Sequence, residues 1–541
     1  MSADGELLGA TTVPDTGQQG SSDQLDARLL KIAGVCVLGS MMAIVDTTVV
    51  TVAQRTFVST FDSPQAIVAW TMTGYTLALA AVIPLAGWIA DRFGTKRPFI
   101  ASLLAFSAGS LLCALAPNIS ALIAFRVIQG LGGGMLMPLV LTMLTREAGP
   151  ARLGRVLAVL GIPMLLGPVF GPVLGGWLID RFGWEWIFWI NLPIGLITVG
   201  LAAVVFPKDR PEPSESFDVI GMLLLSPGLA TFLYGVSALP ASGTIADRHV
   251  WLPAAVGLVL IGGFVLHALY RADHPLIDLR LFDNRVVTLA NVAMFLFAAS
   301  FFGAGLLFPS YFQELLGQTP MQAGMSMVPR GLGAMVTMPI AGALMDKRGA
   351  GKILMVGVGL IAAGMGLFAI GVSLNAAYLP TLVTGLTIMG LGMGATMMPL
   401  SAVAVQTLTP HQIARGSTLI NVNQQVAASI GTALMSVILT SQFNRSANIS
   451  AAHRIDNLRA DAARSGVPVD QSLMPERAST PDFPLVLMHD LSHAYAVVFM
   501  VAVGLVALMF IPVAFLPKKP PAGRRKPPPQ PATNSDTEVN R

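Results

Sequence analysis

Charged side chains are scarce in this sequence. Only 11% of its 541 residues are Asp, Glu, Lys or Arg, against roughly 25% in an ordinary soluble domain. The two cysteines, Cys36 and Cys113, lie in apolar stretches and provide no disulfide framework. Basic residues stand in short clusters between apolar runs, so the formal charge of +4 indicates no nucleic-acid partner. The composition therefore argues against a soluble multidomain enzyme.

Motifs for nucleotide and metal chemistry are also missing. Gly349-Ala-Gly-Lys352 lacks the earlier glycine and the hydroxyl residue of a phosphate-binding loop, so we expect no ATP-driven pump. His489 and His493 flank Asp490 without a further ligand group, so we expect no metal site. We therefore predict neither an enzyme nor a cofactor.

What the sequence has in abundance is long hydrophobic runs, since 54% of its residues are hydrophobic. A helix needs about 20 mainly apolar residues to cross a bilayer. Fourteen windows meet this requirement: 29–53, 67–90, 97–116, 119–145, 153–179, 186–206, 217–239, 250–270, 286–313, 321–345, 352–373, 377–405, 416–440 and 491–516. The sequence thus predicts an all-α integral membrane protein with 14 transmembrane helices.

The distribution of the 33 basic residues predicts the orientation. Successive connections between spans alternate between the two sides of the membrane. On this basis 23 basic residues lie on one side and eight on the other, and the remaining two, Arg126 and Arg330, lie within spans. Basic residues favour the cytoplasmic side. Residues 1–26 contain no apolar signal-peptide core. We therefore expect a multi-pass protein of a bacterial inner membrane with both termini in the cytoplasm.

An internal repeat organises the spans. Gly87-Trp-Ile-Ala-Asp-Arg-Phe-Gly94 recurs loosely as Gly342-Ala-Leu-Met-Asp-Lys-Arg-Gly349, each after the second span of a six-span block. Duplicated halves of this kind place a substrate cavity between them. The predicted divisions are a disordered cytoplasmic tail (1–28), a six-helix bundle (29–206), an inserted transmembrane hairpin with linkers (207–285), a second six-helix bundle (286–516) with an extracytoplasmic loop (441–490), and a basic Pro-rich tail (517–541).

Asp46 is the leading candidate for chemistry, because it lies deep in the first span. A carboxylate there costs about 2.5 to 3.5 kcal/mol, so a proton-binding role is the main hypothesis and a structural hydrogen-bonding role the alternative. Arg126 in the fourth span lies at a comparable depth and would favour ionised Asp46 if the two met. The role of Arg330, which follows Pro329, is left open: its side chain contacts either an anionic group or a backbone carbonyl. The candidate substrate cavity comprises Asp46, Tyr75, Gln129, Asn291, Arg330, Asn421 and Gln425.

Glycine and proline are dense in the fifth span. Small residues at helical spacing let two helices approach closely, and prolines interrupt the backbone hydrogen bonds. The alternatives are an ordinary packing seam and a gating contact, and the density favours gating. The residues concerned are Gly161, Gly167, Pro168, Gly171, Pro172, Gly175 and Gly176.

These motifs together resemble those of the major facilitator superfamily, and within it the fourteen-helix drug:proton antiporters of the EmrB and QacA type. Gly87 through Arg97 resembles the cytoplasmic loop motif of this family. Arg126-Val-Ile-Gln-Gly130 resembles the fourth-helix motif linked to proton coupling, and the fifth span resembles the antiporter motif. The resemblance implies that a latch closes the two halves, formed by Gly87, Asp91, Arg92, Gly94 and Arg97.

The expected function is proton-coupled export of lipophilic or cationic drugs by alternating access. Export of an endogenous lipid or siderophore is the alternative within transport, and a non-transporting receptor or scaffold is the alternative of another class. The expected partners are a small lipophilic substrate, protons and membrane lipids. A periplasmic adaptor is left open, and otherwise a monomer is expected.

Overall fold

A computed structural model describes the chain over residues 27–63, 65–148, 152–209, 217–242, 246–452, 454–455, 458, 475, 477, 480 and 482–517. Within these ranges the chain is almost entirely helical. Nearly all of the two predicted tails, and much of the predicted loop 441–490, lie outside the described residues.

The first half of the chain folds into long helices broken at Gly and Pro. The second predicted span is bent by 52° next to Pro84, because proline cannot donate a backbone hydrogen bond. The helices are α1 (Ala27–Thr60), α2 (Gln65–Val68), α3 (Trp70–Val82), α4 (Leu85–Phe93), α5 (Lys96–Ala114), α6 (Ile119–Gly133), α7 (Leu136–Ala148), α8 (Leu153–Phe182), α9 (Trp186–Trp189) and α10 (Asn191–Val205).

The predicted inserted hairpin is formed by α11 (Val219–Ser242) and α12 (Arg248–Tyr270), followed by a short 3₁₀ turn at Leu279–Asp283. The first of its two helices packs against α3 of the first half and also against the long helix Pro410–Arg445 of the second half. The hairpin therefore touches both halves of the molecule.

The second half repeats the pattern of the first. Its last long helix begins at Phe483, eight residues before the predicted span, since Pro484 is acceptable in the first turn of a helix. An irregular turn at Tyr378–Leu382 precedes the helix that begins at Val383. The helices are α13 (Arg285–Glu314), α14 (Pro320–Ser326), α15 (Val328–Arg348), α16 (Ala350–Ser373), α17 (Val383–Gln406), α18 (Pro410–Arg445), α19 (Phe483–Leu508) and α20 (Phe510–Ala514).

The described helices include 12 that are long and apolar enough to cross a membrane, or 13 if the bent pair α3 and α4 forms one span. A further candidate is α8, whose 30 residues extend about 45 Å at 1.5 Å per residue. The helical, multi-pass fold is as predicted, while the total of 14 spans stays a prediction. Large apolar side chains such as Val204 and Val259 are 85% and 73% exposed, as expected of a surface that lipid covers.

Contacts between the halves involve a few helices. In the middle of the molecule, α8 packs against α15 and α17. At the end where α4 and α5 are joined, both α4 and α7 pack against α18. These contacts bring the repeated halves face to face and leave a polar network inside the first half, described next.

Candidate functional site

Asp46 lies in the middle of α1 and is 1% exposed. The hydroxyls of its neighbours Thr47 and Thr48 donate to backbone carbonyls of the preceding turn, which satisfies them within the helix. The carboxylate of Asp46 has no such local partner. It points instead toward side chains of α6 and α10, so its surroundings are set by the packing of three helices.

Three side chains donate hydrogen bonds to this carboxylate. Arg126 Nη1 lies 2.6 Å from Asp46 Oδ2, and the ion pair is fully buried on both sides. Gln129 Nε2 lies 2.9 Å from Oδ1, and Asn191 Nδ2 lies 2.8 Å from the same oxygen. We call Asp46, Arg126, Gln129 and Asn191 the Asp46 network. Its donors satisfy a charge that would otherwise be costly in a low-dielectric interior.

The guanidinium of Arg126 has further partners that are not carboxylates. Its Nη1 donates to Gln129 Oε1 at 2.7 Å and its Nε to the backbone oxygen of Thr71 at 3.2 Å. Its Cζ lies 4.1 Å from the centre of the Tyr75 ring, a cation–π geometry. Its Nη2 has no hydrogen-bond partner among the described residues. Arg126 is therefore held by neutral groups as well as by the charge of Asp46.

Close packing of α3 and α6 makes this arrangement possible. A Cβ atom on Gly130 would lie 2.5 Å from the backbone oxygen of Tyr75, nearer than a methyl group can approach. Arg126 and Gln129 are three residues apart and share one face of α6. The sequence Arg126-Val-Ile-Gln-Gly130 thus supplies both the polar face and the small residue that brings Tyr75 against it.

Helix α4 carries a second polar cluster, near its C-terminal end. Asp91 accepts from Arg146 Nη2 at 2.7 Å and also interacts electrostatically with Arg415 of α18 in the second half. Gly87 packs directly on α18, where an added Cβ would lie 3.0 Å from Thr418 Oγ1. Asp91 and Gly87 therefore lie at a contact between the two halves.

Arg97 lies beside the linker that follows α10 in this structure, and its part in the latch stays a prediction. Its side chain is 81% exposed, with Nε 4.0 Å from Asp209 Oδ2. The backbone N–H groups of Lys96 and Arg97 donate to the carboxylate of Asp209, which satisfies the free donors at the start of α5. Gly94 has φ of +83°, and a side chain there would collide with Asp209. Arg92 is exposed.

A family model described as Major Facilitator Superfamily matches residues 36–432. The chain belongs to this superfamily. It is 62% identical over 514 residues to the "Multidrug resistance protein B homolog" of Mycobacterium tuberculosis, covering 95% of each chain. It is 29% identical over 422 residues to the "Multidrug export protein EmrB" of Escherichia coli, covering 77% of this chain and 81% of the relative.

A solved structure supports the fold. The human organic anion transporter MFSD10 superposes with a TM-score of 0.60 over 90% of this chain and 99% of its own, at 15% identity. The protein is thus a transporter of the major facilitator superfamily, as the resemblance implied, and the family is not one of enzymes.

The glycines of the antiporter-like fifth span serve two contacts in this family member. Gly161 faces the second half, where an added Cβ would collide with the thioether of Met338. The side chains of Pro168 and Pro172 lie outside the described residues. Three other glycines face α1, namely Gly167 toward Ile44, Gly171 toward Thr48 and Gly175 toward Val49, whereas an added Cβ on Gly176 would meet nothing within 4 Å. The span therefore combines a packing seam on α1 with one contact between the halves.

The residues of the predicted substrate cavity fall into separate places. Asp46, Tyr75 and Gln129 belong to or border the Asp46 network. On α13 and α18, Asn291 accepts from Asn423, and Asn421 donates to the backbone of its own helix, while Gln425 is half-buried. Arg330 lies in a third place, in a pocket inside the second bundle.

Sequence reasoning missed Asn191, Arg146 and Asp209. Asn191 is 1% exposed, and its Nδ2 also lies 3.0 Å from Ser110 Oγ. Asn191 is the one amide side chain in the predicted span 186–206, and this could have marked it as a candidate, because a polar group within the bilayer needs a hydrogen-bond partner. Arg146 and Asp209 stand among other charges near the connections between spans, and their partners become visible only in three dimensions.

Proposed function

We propose that the protein exports lipophilic compounds, including cations, in exchange for protons across a bacterial inner membrane. The observation that carries the proposal is the fully buried Asp46–Arg126 ion pair within the first bundle. The names of the similar proteins, a multidrug resistance protein homolog and a multidrug export protein, support drugs as the substrate class.

Asp46 is the proposed proton site. Protonation would remove the charge that holds Arg126 Nη1 and that accepts from Gln129 and Asn191. Arg126 would keep its contacts with Gln129, with Thr71 and with the Tyr75 ring. Because the carboxylate joins α1 to α6 and α10, proton binding would loosen a contact among three helices, and this links protonation to conformation.

The cluster at α4 is the proposed conformational latch. Gly87 and Asp91 contact the second half through α18, while the ion pair with Arg146 fixes the position of Asp91. Alternating access requires this contact to form and break in each cycle. Gly161 on α8 provides a second contact between the halves, against Met338.

The latch predicts an effect of Gly87→Leu. The larger side chain has no room against Thr418 and Ala414, and overpacking costs about 1–3 kcal/mol, so the closed contact should become about tenfold less populated. We expect export by vesicles to slow by about the same factor. Gly176→Leu is the matched control, since an added Cβ at Gly176 meets nothing within 4 Å. Equal export by the two variants would remove Gly87 from the latch.

One proton provides enough energy for useful export. Moving one charge through 100 mV is worth about 2.3 kcal/mol, and each 1.4 kcal/mol is about tenfold in a concentration ratio. A neutral substrate exchanged for one proton would therefore reach a gradient of roughly forty-fold at that potential.

Inside-out membrane vesicles test export and its energy source. Ethidium, a fluorescent lipophilic cation, should accumulate in vesicles that contain the protein when a proton gradient is imposed, acid inside. Accumulation should stop when nigericin, a potassium–proton exchanger, dissipates the pH gradient. Accumulation that persists after this treatment would contradict proton coupling. No transport of ethidium or of a wide panel of lipophilic compounds would contradict drug export and favour the lipid, siderophore or scaffold alternatives.

A further inference from the structure

One buried carboxylate ties together the base of the inserted hairpin, where α11 begins and α12 ends. Asp218 directly precedes α11, and its side chain is 7% exposed. Its Oδ1 accepts from the backbone N–H of Gly221 at 2.7 Å and lies 2.8 Å from Nε2 of His267, in the last turn of α12. Its Oδ2 accepts from the backbone N–H of Leu276 at 3.4 Å. Asp218 therefore joins both helices of the hairpin to the linker that follows them.

The hairpin base contacts the first half beside the latch. Phe217, the neighbour of Asp218, packs its ring on that of Trp88 in α4, with the ring centres 4.6 Å apart. Trp88 follows Gly87, which packs on α18, and precedes Asp91 by three residues. The hairpin base therefore touches the helix that carries the first-half part of the latch.

The same base contacts the second half at Arg415 of α18. Asp278, in the linker, has its Oδ2 4.0 Å from Nη1 of Arg415, and the two side chains are 17% and 12% exposed. Arg415 also interacts electrostatically with Asp91 of the first half. The guanidinium of Arg415 thus lies between a carboxylate of the latch and a carboxylate of the hairpin linker.

An apolar cluster joins these contacts. It contains side chains of both hairpin helices, the linker, α13 and α18, and Trp88 of α4 packs against it. Separation of α4 from α18 would take Trp88 away from the cluster and from Phe217, which exposes apolar surface and is unfavourable. The buried members are Leu225, Leu229, Phe264, Ala268, Leu276, Ile277, Leu281, Val287 and Leu419.

We propose that the base of the inserted hairpin is a clamp on the latch, which holds α4 of the first half against α18 of the second half through Phe217 and Asp278. The proposal rests on the latch of the proposed function and adds the hairpin to it. Asp218 is a positioning residue, because its hydrogen bonds run to the hairpin and the linker and fix the segments that carry the two contacts. The hairpin then sets the balance between the closed and the open state of the latch.

Distances between spin labels test the clamp. Labels on Lys31→Cys and Lys352→Cys, at exposed positions near the starts of α1 and α16, report how far apart the two halves are on the side of the latch. The native Cys36 and Cys113 are buried, so the introduced cysteines are the ones that react. The full-length protein is measured in nanodiscs without substrate or gradient, and the readout therefore does not depend on proton coupling or on drug export.

His267→Ala and Phe217→Ala are the test variants. The first removes the side chain that joins α12 to Asp218, and the second removes the ring on Trp88. Each should lower the ratio of closed to open latch by about fivefold, as expected for the loss of one buried hydrogen bond or one aromatic pair. Phe217→Tyr keeps the ring and should keep the ratio of the wild type.

His249→Ala is the matched control for His267→Ala. His249 lies at the opposite end of α12, where its Nδ1 is 3.1 Å from Asp247 Oδ1 and its side chain is 80% exposed. We expect the ratio of the wild type in this variant. Thermal unfolding is measured for every variant. A lowered melting temperature of His267→Ala with an unchanged distance distribution would show a merely structural role and overturn the proposal, as would an unchanged distribution in Phe217→Ala.

Gly87→Leu with the same labels separates the clamp from the latch on which it rests. A shift toward the open state in Gly87→Leu and in both hairpin variants supports the clamp. A shift in Gly87→Leu alone would leave the latch standing and overturn the clamp. Unchanged distances in all three variants would contradict the latch and the clamp together.

Discussion

Asp46→Asn is expected to abolish uphill export: in one-for-one exchange for a proton, ethidium should reach a gradient of about tenfold per unit of imposed pH difference in the wild type, and none in the variant. Asparagine can still accept a hydrogen bond from Arg126 at this position, but it cannot take up and release a proton. Accumulation of ethidium in inside-out vesicles is the measurement. Downhill movement of ethidium should remain, because the variant keeps a side chain of nearly the same size.

Asp46→Glu is the matched variant, because it keeps a titratable group and changes only its reach. We expect it to retain some uphill transport where Asp46→Asn has none. Membrane insertion and thermal stability, measured alongside, separate a transport defect from misfolding. Uphill accumulation by a folded Asp46→Asn protein at the wild-type level would show that the coupling proton binds elsewhere.

Arg126→Gln should destabilise the protein by about 3–5 kcal/mol, because it leaves the buried carboxylate of Asp46 without its cation. Both side chains of the pair are 0% exposed, so water does not compensate the loss. Combining Arg126→Gln with Asp46→Asn removes both charges, and the double variant should recover much of the lost stability. The free energy of unfolding in detergent, measured for all four proteins, gives the coupling energy directly.

Additive effects in that cycle would contradict the account, since they would mean that the two charges do not interact. Arg146→Gln is a useful comparison, because its ion pair with Asp91 is partly exposed, with 25% of the Arg146 side chain accessible. Exposed ion pairs contribute only about 0–1 kcal/mol. We therefore expect a much smaller loss of stability from this variant than from Arg126→Gln.

Much of the fold could be predicted from the sequence, because the bilayer imposes a simple rule on segment length and apolarity. The two halves and the inserted hairpin followed from the apolar windows and from the repeat at Gly87 and Gly342. Asp46 and Arg126 were identified because a charged side chain deep in the bilayer is unfavourable in free energy. The structure shows that the two are in contact. The scarcity of charge made these residues easy to find, since a charged side chain within a span is costly and needs a partner or a cavity.

Partners were harder to predict than sites. The residues of the predicted cavity are all polar residues within spans, but they lie in different places. Helical spacing shows which residues share a face of one helix, and it does not show which other helix that face contacts. Arg330 was therefore grouped with Asp46, although it lies in the other bundle. The sequence also does not reveal that the carboxylate of Asp209, on a linker more than a hundred residues away, accepts a hydrogen bond from the backbone N–H of Arg97 at the start of α5.

The account depends most on Asp46 carrying the proton that is exchanged for substrate. Purified protein in proteoliposomes with an internal pH indicator tests this without any imposed proton gradient. A sudden outward gradient of ethidium should move protons in the opposite direction in wild-type vesicles, and should move ethidium alone in Asp46→Asn vesicles. Proton movement of equal size in both would contradict the account, as would ethidium transport in the wild type without any proton movement.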